Sequence, residues 1–114
     1  MRTSVRASGL EVSEALSSYL ERRLAFALAR FGGRIRSVTV HFADLNGPRG
    51  GVDKRCLMRG RLVPGGEVRA ETTDSDLFAA IDRAAERLGQ SVARELERRY
   101  QPRTSEGLRA KGRW

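Results

Sequence analysis

Four segments of the chain alternate hydrophobic and polar residues, which is the pattern of strands with one buried face. They cover residues 2–8, 35–43, 53–62 and 67–72. Only the turn Pro64-Gly65-Gly66 and its immediate neighbours separate the last two segments, so we expect these to form a hairpin. The alternation gathers the following residues on the hydrophobic faces: Val5, Ala7, Val38, Val40, Phe42, Cys56 and Met58.

Two longer segments repeat hydrophobic residues at helical spacing instead. The first spans about 13–31, with Ser13 as its N-cap and Gly32-Gly33 as a C-cap signal. The second spans about 75–100, and we expect Pro102 to end it because proline lacks the N–H that continues a helix. The resulting order is β-α-β-β-β-α, which predicts an α+β fold: a four-stranded sheet with two helices packed on one face.

The spacing of these elements fits a single domain of residues 1–101. Residues 102–114 are basic and lack a periodic hydrophobic pattern, so we predict a disordered tail there. The longest uncharged hydrophobic stretch, Leu24–Ala29, is too short for a transmembrane span or the core of a signal peptide. We therefore expect a cytoplasmic protein with no membrane partner.

The overall charge narrows the class of partner. There are 22 lysine and arginine residues against 14 aspartate and glutamate residues, which gives a formal charge of +8 and a pI near 11.1. A field of this sign favours polyanions, with nucleic acid first and an anionic membrane surface second.

The basic residues of the last helix are concentrated on one flank of its hydrophobic stripe. At about 100° per residue, five positions fall within about 80° of one another. This arginine row consists of Arg83, Arg87, Gln90, Arg94 and Arg98. Acidic residues lie beyond it, whereas a surface that only needed solvation would mix both signs. The arginine row therefore predicts a contact site for RNA phosphates.

The first helix carries a shorter set, the aromatic–arginine stripe of Tyr19, Arg23, Phe26 and Arg30. Alternating aromatic and guanidinium groups can stack on unpaired bases and also pair with phosphate. The same spacing fits aromatic residues at the rim of the core, solvated by the arginines beside them. Tyr19 and Phe26 are thus candidates for base stacking, with both interpretations open. We expect the stripe and the arginine row to converge into one cationic ridge.

Residues that carry chemistry are scarce. His41 and Cys56 are the only residues of their types, but the alternation sends His41 outward and Cys56 inward. Asp44 and Asp53 bracket a glycine-rich loop and offer a weak divalent-cation site, although aspartate is also an ordinary turn residue. The loop lacks the Gly-Lys-Ser/Thr ending of a P-loop. We predict no catalytic residues, no metal, no cofactor and no small-molecule substrate, and hence no enzyme.

Three segments resemble those of one protein family. They are Ser13-Glu14-Ala15-Leu16 at the start of the first helix, Pro64-Gly65-Gly66, and Asp76-Leu77-Phe78-Ala79-Ala80-Ile81-Asp82 at the start of the last helix. Over residues 1–100 the chain resembles the ribosome hibernation-promoting factor and ribosome-associated inhibitor A family. The loop at 44–51 is longer and richer in glycine than in the best-known members, so the chain looks like a short, divergent form.

The resemblance implies a fold close to that of double-stranded RNA-binding domains and binding to the small ribosomal subunit. We expect the protein to be a monomer. There it would overlap the sites for messenger RNA and transfer RNA, through basic helix residues on ribosomal RNA. The family's basic positions match Arg23, Arg87 and Arg94, whereas Ser17, Phe26 and Gln90 stand where a basic residue is common. Long family forms carry a further domain that pairs ribosomes, for which 114 residues leave no room.

Two other functions remain open from the sequence. One is a general module for structured RNA that uses the same helices. The other is a regulatory protein that acts on a protein partner through the open face of the sheet. That face is predicted to present Thr39, His41, Arg55, Leu57, Arg59 and Arg69.

Overall fold

The computed structural model describes residues 1–45 and 53–112, and the side chains of this set as far as residue 99. Its elements in chain order are β1 (Arg2–Ser8), α1 (Glu14–Leu28), β2 (Ile35–Asp44), β3 (Lys54–Leu62), β4 (Glu67–Asp74) and α2 (Leu77–Gly112). This order confirms the predicted α+β fold. Most of the predicted loop at 44–51 lies outside the described residues.

The four strands form one mixed sheet in the order β1-β2-β3-β4. β1 and β2 pair in parallel, since α1 carries the chain back across the sheet between them, and the other two pairings are antiparallel. One row across the sheet consists of Val5, Val40, Met58 and Ala70. These side chains point toward the helices, as the alternation predicts, because each belongs to or packs against the buried core.

The core lies between this face of the sheet and the two helices, so both helices cover the same side. Its largest fully buried side chains include Leu20, Leu24, Phe42, Ile81 and Leu88. Full burial of an aliphatic or phenylalanine side chain contributes about 1.5–3 kcal/mol, so each of these residues makes a substantial contribution to stability. The opposite face of the sheet has no helix packed on it in the described part of the chain.

The helix starts follow the expected capping chemistry. The Ser13 hydroxyl accepts a hydrogen bond from the Leu16 N–H at 3.1 Å, as an N-cap does. A 3₁₀ segment, Ala29–Arg34, follows α1, and Gly32 within it has a φ of 55° that favours glycine. At α2 the Asp76 carboxylate accepts from the Phe78 N–H at 3.0 Å.

The prediction that Pro102 ends the last helix was wrong, because α2 runs to Gly112. A proline inside a helix removes one backbone donor and crowds the preceding turn, at a cost of about 3 kcal/mol. The residues after it are mainly good helix formers, such as Arg103, Glu106 and Leu108. The division into a domain of 1–101 and a tail of 102–114 stays a prediction.

α2 is long enough to cross a membrane, but its composition does not fit a transmembrane helix. Its 36 residues exceed the roughly 20 that cross a bilayer, but arginine and glutamate recur along the helix. Across residues 1–45 and 53–112, no helix is both long enough and apolar enough to cross a membrane.

Candidate nucleic-acid interface

Tyr19 connects the two helices to each other. Its hydroxyl donates a hydrogen bond to the Asp82 carboxylate at 2.6 Å, and its ring meets the Phe78 ring edge-on with 5.1 Å between centroids. The hydrogen bond to Asp82 is the main reason that the pKa of the Tyr19 phenol is raised. Tyr19 is thus half-buried and engaged inside the protein, which matches the rim-of-core interpretation of its position.

Phe26 has the opposite environment, since 78% of its surface is exposed. The Arg23 guanidinium lies 5.8 Å from the centroid of its ring, and Arg23 Nε is 2.8 Å from Asp82 Oδ1. The ion pair with Asp82 therefore positions Arg23 beside the ring. An aromatic ring left in water next to a held guanidinium presents a surface on which a base can stack.

A groove of about 550 Å³ separates α1 from α2 next to Phe26. This interhelical groove is lined by Arg23, Phe26, Ala27, Ala29, Arg30, Glu86, Gly89 and Gln90. At its base the helices come very close, because a Cβ on Gly89 would lie 3.1 Å from the Ala27 carbonyl oxygen. On the rim, the Arg30 guanidinium lies 4.8 Å from the centroid of the Phe31 ring.

Three side chains of the arginine row bind acceptors within the protein. Arg83 donates to the Thr73 carbonyl and lies 3.5 Å from the Asp74 carboxylate. Arg87 donates to a backbone carbonyl of β4 at 3.3 Å. Arg98 pairs with the Glu95 carboxylate, and this contact is the main reason that the pKa of Glu95 is lowered.

Arg94 differs from the other three arginines of the row. It is exposed and has no hydrogen bond or ion pair with any residue that the structure describes. It borders a second depression, which also involves Arg69, Ser91 and Arg98. Within the arginine row, Arg94 is therefore the guanidinium most available to an external anion.

The arginine row and the aromatic–arginine stripe do not form the single ridge expected from the sequence. The arginine row faces β4, which Arg83 and Arg87 contact. The stripe faces the other flank of α2, where Asp82 and Glu86 lie. Of the arginine row, Gln90 alone among the described residues lines the interhelical groove. The helix side thus presents two separate basic surfaces.

Sequence reasoning missed Arg99, which fastens the β3–β4 turn to α2. Its guanidinium donates to the Gly65 carbonyl, and its Nε lies 3.3 Å from Glu95 Oε2. The i,i+4 spacing of Glu95 and Arg99 was visible in the sequence as an ion-pair signal. The carbonyl partner had no sequence signal, because it lies 34 positions earlier in the chain.

The side chains considered for catalysis or metal binding take other roles. His41 lies on the open face of the sheet and contacts the Ser8 hydroxyl at 3.0 Å, whereas burial raises the pKa of the Cys56 thiol to about 12. The Lys54 ammonium lies 3.0 Å from the buried Asp53 carboxylate and 3.5 Å from Asp44. Lys54 therefore supplies the positive charge between the two carboxylates that were considered for a divalent cation.

Comparison with known proteins identifies the family to which this fold and these helices belong. The family described as "Sigma 54 modulation protein / S30EA ribosomal protein" matches residues 3–100. The chain belongs to this family. The family consists of non-enzymatic factors, which confirms the exclusion of catalysis made from the sequence.

The individual relatives agree with this family. The ribosome hibernation promotion factor of Deinococcus radiodurans is 33% identical over 101 residues, which cover 86% of this chain. The chain spans about 50% of the length of that relative. The N-terminal domain of Protein Y from Thermus thermophilus is 35% identical, with a TM-score of 0.67, 82% of this chain covered and 98% of that one.

A more distant structure shares the fold. A ribosomal subunit interface protein from Coxiella burnetii has a TM-score of 0.73 at 18% identity, with 85% of this chain and 99% of that one covered. At this much lower identity, the match supports the shared fold.

Proposed function

We propose that this protein is a cytoplasmic hibernation factor that binds the small ribosomal subunit and blocks the channel used by messenger RNA and transfer RNA. Its family and its relative named as a ribosome hibernation promotion factor support this class of function. The action is steric, since the folded domain occupies space that translation requires. It acts as a monomer and needs no cofactor.

The observation that carries this proposal is the exposed Phe26 ring at the interhelical groove. Single-stranded loops of ribosomal RNA offer unpaired bases, and such bases stack on aromatic rings with about 1–3 kcal/mol each. Arg30 and Gln90 on the same groove supply hydrogen-bond donors for a phosphate or for a base edge. Arg23 supports the Phe26 ring from within the protein.

The remaining arginines contribute unequally to this contact. Arg94 is free to pair with phosphate. Arg98 can pair with phosphate if its ion pair with Glu95 breaks. Arg83 and Arg87 both bind backbone carbonyls of β4, so we assign them mainly to holding α2 on the edge strand. Tyr19 has a structural role and leaves base stacking to Phe26.

The test is co-sedimentation of purified variants with small ribosomal subunits. We expect Phe26→Ala combined with Arg30→Glu to weaken binding by about 30-fold or more, from one lost stack and one reversed phosphate contact. Phe26→Trp is the matched control, because it keeps an aromatic face and should bind like the unaltered protein. Equal binding by all three proteins would remove the interhelical groove from the interface.

A competition experiment separates this function from general binding to structured RNA. Transfer RNA bound to the subunit should displace a protein that occupies the translation channel. A general RNA-binding module would be displaced equally well by free ribosomal RNA fragments and would ignore the occupancy of the channel. That second result would replace the proposed function by the more general one.

A further inference from the structure

The open face of the sheet, on the side away from both helices, is a third basic surface, in addition to the two on the helix side. Strand alternation turns six arginines toward it, in contrast to the two glutamates Glu67 and Glu71. The arginines are Arg2, Arg6, Arg55, Arg59, Arg61 and Arg69. The excess of four positive charges on one sheet face is half of the formal charge of +8 carried by the whole chain.

The register of the sheet aligns four of its outward side chains into one row. Ser4 pairs with Thr39, Thr39 with Arg59, and Arg59 with Arg69. This donor row crosses all four strands over about 14 Å, at about 4.8 Å per strand. Each of its side chains donates hydrogen bonds and none is acidic, which is the chemistry that binds phosphate oxygens.

The donor row places two like charges directly opposite each other, at Arg59 and Arg69. Such a pair destabilises a sheet, because the cross-strand side chains are neighbours. The nearest acid, Glu71, lies 3.5 Å from Arg69 but is shared with Arg55 at 3.6 Å. Arg59 has no acidic partner among the described residues. A bound anion would relieve this repulsion.

A shallow depression of about 530 Å³ lies beside the donor row. It is lined by Arg6 and Arg59 from two different strands and by Leu57 and His41. Leu57 is only half-buried, and the rest of the lining is polar or small. The buried core of a protein–protein interface is typically apolar and carries aromatic anchors, whereas among the described residues this depression has no aromatic ring besides the His41 imidazole and only one large apolar side chain, Leu57. Its chemistry therefore fits a nucleic-acid backbone better than an acidic protein.

We propose that the open sheet face binds the phosphate backbone of a second RNA segment, with the donor row as its centre. The sheet separates this surface from the interhelical groove, so one protein molecule can hold RNA on two opposite sides. The ribosomal setting rests on the proposed function, but the binding of phosphate by the sheet does not. A domain that contacts RNA on both sides is held more firmly than one bound by its helices alone.

The decisive variant is Arg59→Glu, compared with Arg22→Glu as a control. Both change the net charge equally, but Arg22 is an exposed residue on α1 outside the interhelical groove. Arg59→Glu also converts the like-charge pair with Arg69 into an opposite-charge pair, so the variant should unfold at a higher temperature. Thermal unfolding of both variants, followed by circular dichroism, checks this expectation and separates a loss of RNA binding from a loss of folding.

The probe is a fluorescent single-stranded oligouridylate, titrated into each full-length variant at several salt concentrations. We expect Arg59→Glu to weaken binding about tenfold relative to Arg22→Glu and to lower the salt slope by about 0.7, which is one phosphate contact on a single strand. Oligouridylate should also shift the amide resonances of Ser4, Thr39, Arg59 and Arg69. Equal affinities of the two variants would overturn the proposal.

Two further experiments distinguish a failure of the sheet-face proposal from a failure of the proposed function. Poly-glutamate is titrated in parallel as a mimic of an acidic protein. If poly-glutamate shifts these amide resonances and oligouridylate does not, the sheet face binds an acidic protein instead of RNA, and the proposal is overturned. Co-sedimentation with small subunits tests the proposed function separately. Loss of that binding in the Phe26 and Arg30 variant, with equal oligouridylate binding by Arg59→Glu and Arg22→Glu, would leave the proposed function standing and remove only the sheet face.

Discussion

The two sides of this protein are both rich in arginine, but they use it differently. On the helix side, Arg23, Arg83 and Arg98 each lie close to a carboxylate of the same chain, and Arg87 binds a backbone carbonyl. On the sheet side, Arg59 faces another arginine. A count of basic residues therefore does not locate a binding surface, because an arginine that has an internal acceptor is partly neutralised.

This contrast has a geometric origin. Side chains on a helix flank can reach along the helix and onto the neighbouring strand, where carbonyls and acids are available. Side chains on an open sheet face stand roughly perpendicular to the sheet, and their neighbours are set by the strand register. The register of β3 and β4 places Arg59 opposite Arg69. In our proposal, a bound phosphate neutralises this repulsion.

The largest expected effect is that of Leu88→Ala, which should destabilise the whole domain and therefore both arginine-rich sides. Leu88 is fully buried, and its side chain lies within 4.0 Å of the position that a Cβ on Gly60 of β3 would occupy. We expect Leu88→Ala to lower the free energy of unfolding by about 2–5 kcal/mol and to weaken both RNA contacts in proportion to the unfolded fraction. Urea denaturation measures the first effect. A loss below 1 kcal/mol would show that the site collapses around the shorter side chain.

The next effect is confined to the helix side. The Cβ of Gly89→Ala would lie 3.1 Å from the Ala27 carbonyl oxygen, so α1 must move away from α2. We expect a loss of about 1 kcal/mol, the strain of overpacking less the better helix propensity of alanine. Binding to small subunits should weaken while oligouridylate binding by the sheet persists. A variant more stable than the parent would mean that the helices separate without strain.

A smaller effect concerns the acid that engages Tyr19 and Arg23. Asp82→Asn removes the carboxylate that pairs with Arg23 and accepts from Tyr19, so Arg23 is no longer held beside Phe26 and small-subunit binding should weaken about twofold. It should also lower the pKa of the Tyr19 phenol toward its usual value, because the hydrogen bond to Asp82 is what mainly raises it. Ultraviolet absorbance during an alkaline titration measures this shift.

The same pKa gives a direction for stability against pH. Because the pKa of Tyr19 is raised in the folded protein, its contribution to stability is complete below the unfolded value near 10 and is lost as the pH rises through the folded value. Asp82→Asn should flatten this alkaline decline. An identical decline in both proteins, followed by circular dichroism, would assign it to other groups.

The smallest expected effect concerns Cys56, whose thiol should not be alkylated in the folded protein. Cys56 lies in the core, and burial raises the pKa of its thiol to about 12. Iodoacetamide should therefore leave the folded protein unmodified at neutral pH, with or without RNA, and modify it fully in urea. Fast alkylation of the native protein, followed by mass spectrometry, would mean that β3 opens readily and that the sheet face is not a rigid surface.

Much of the fold follows from local patterns. Alternation in the four strands and helical spacing around Leu24 and Leu88 are sufficient to predict the order of elements and the side of the sheet that is buried. Pro102 shows the limit of a local rule, because α2 continues past it. The energetic cost of one proline in a helix is offset by the helix propensity of the residues around it. The position of the proline alone therefore does not decide where the helix ends.

The candidate site was predicted less completely for a different reason. The flank of the arginine row follows from helical geometry, but the carbonyls that bind Arg83 and Arg87 lie 10 and 16 positions away on β4. Backbone acceptors have no signature in the side-chain sequence. The same spacing also left the roles of Tyr19 and Phe26 open, and only the distance from Tyr19 to Asp82 distinguishes them.

The amino-acid sequence by itself determined which residues face the core, which flank of each helix is basic, and that the chain as a whole carries a formal charge of +8. These properties depend on residue type and on the fixed periods of helix and strand. Only the tertiary structure decided which arginines are neutralised and which four donors align across the sheet. Those outcomes depend on strand register and on the docking of α2, which bring together residues far apart in the chain.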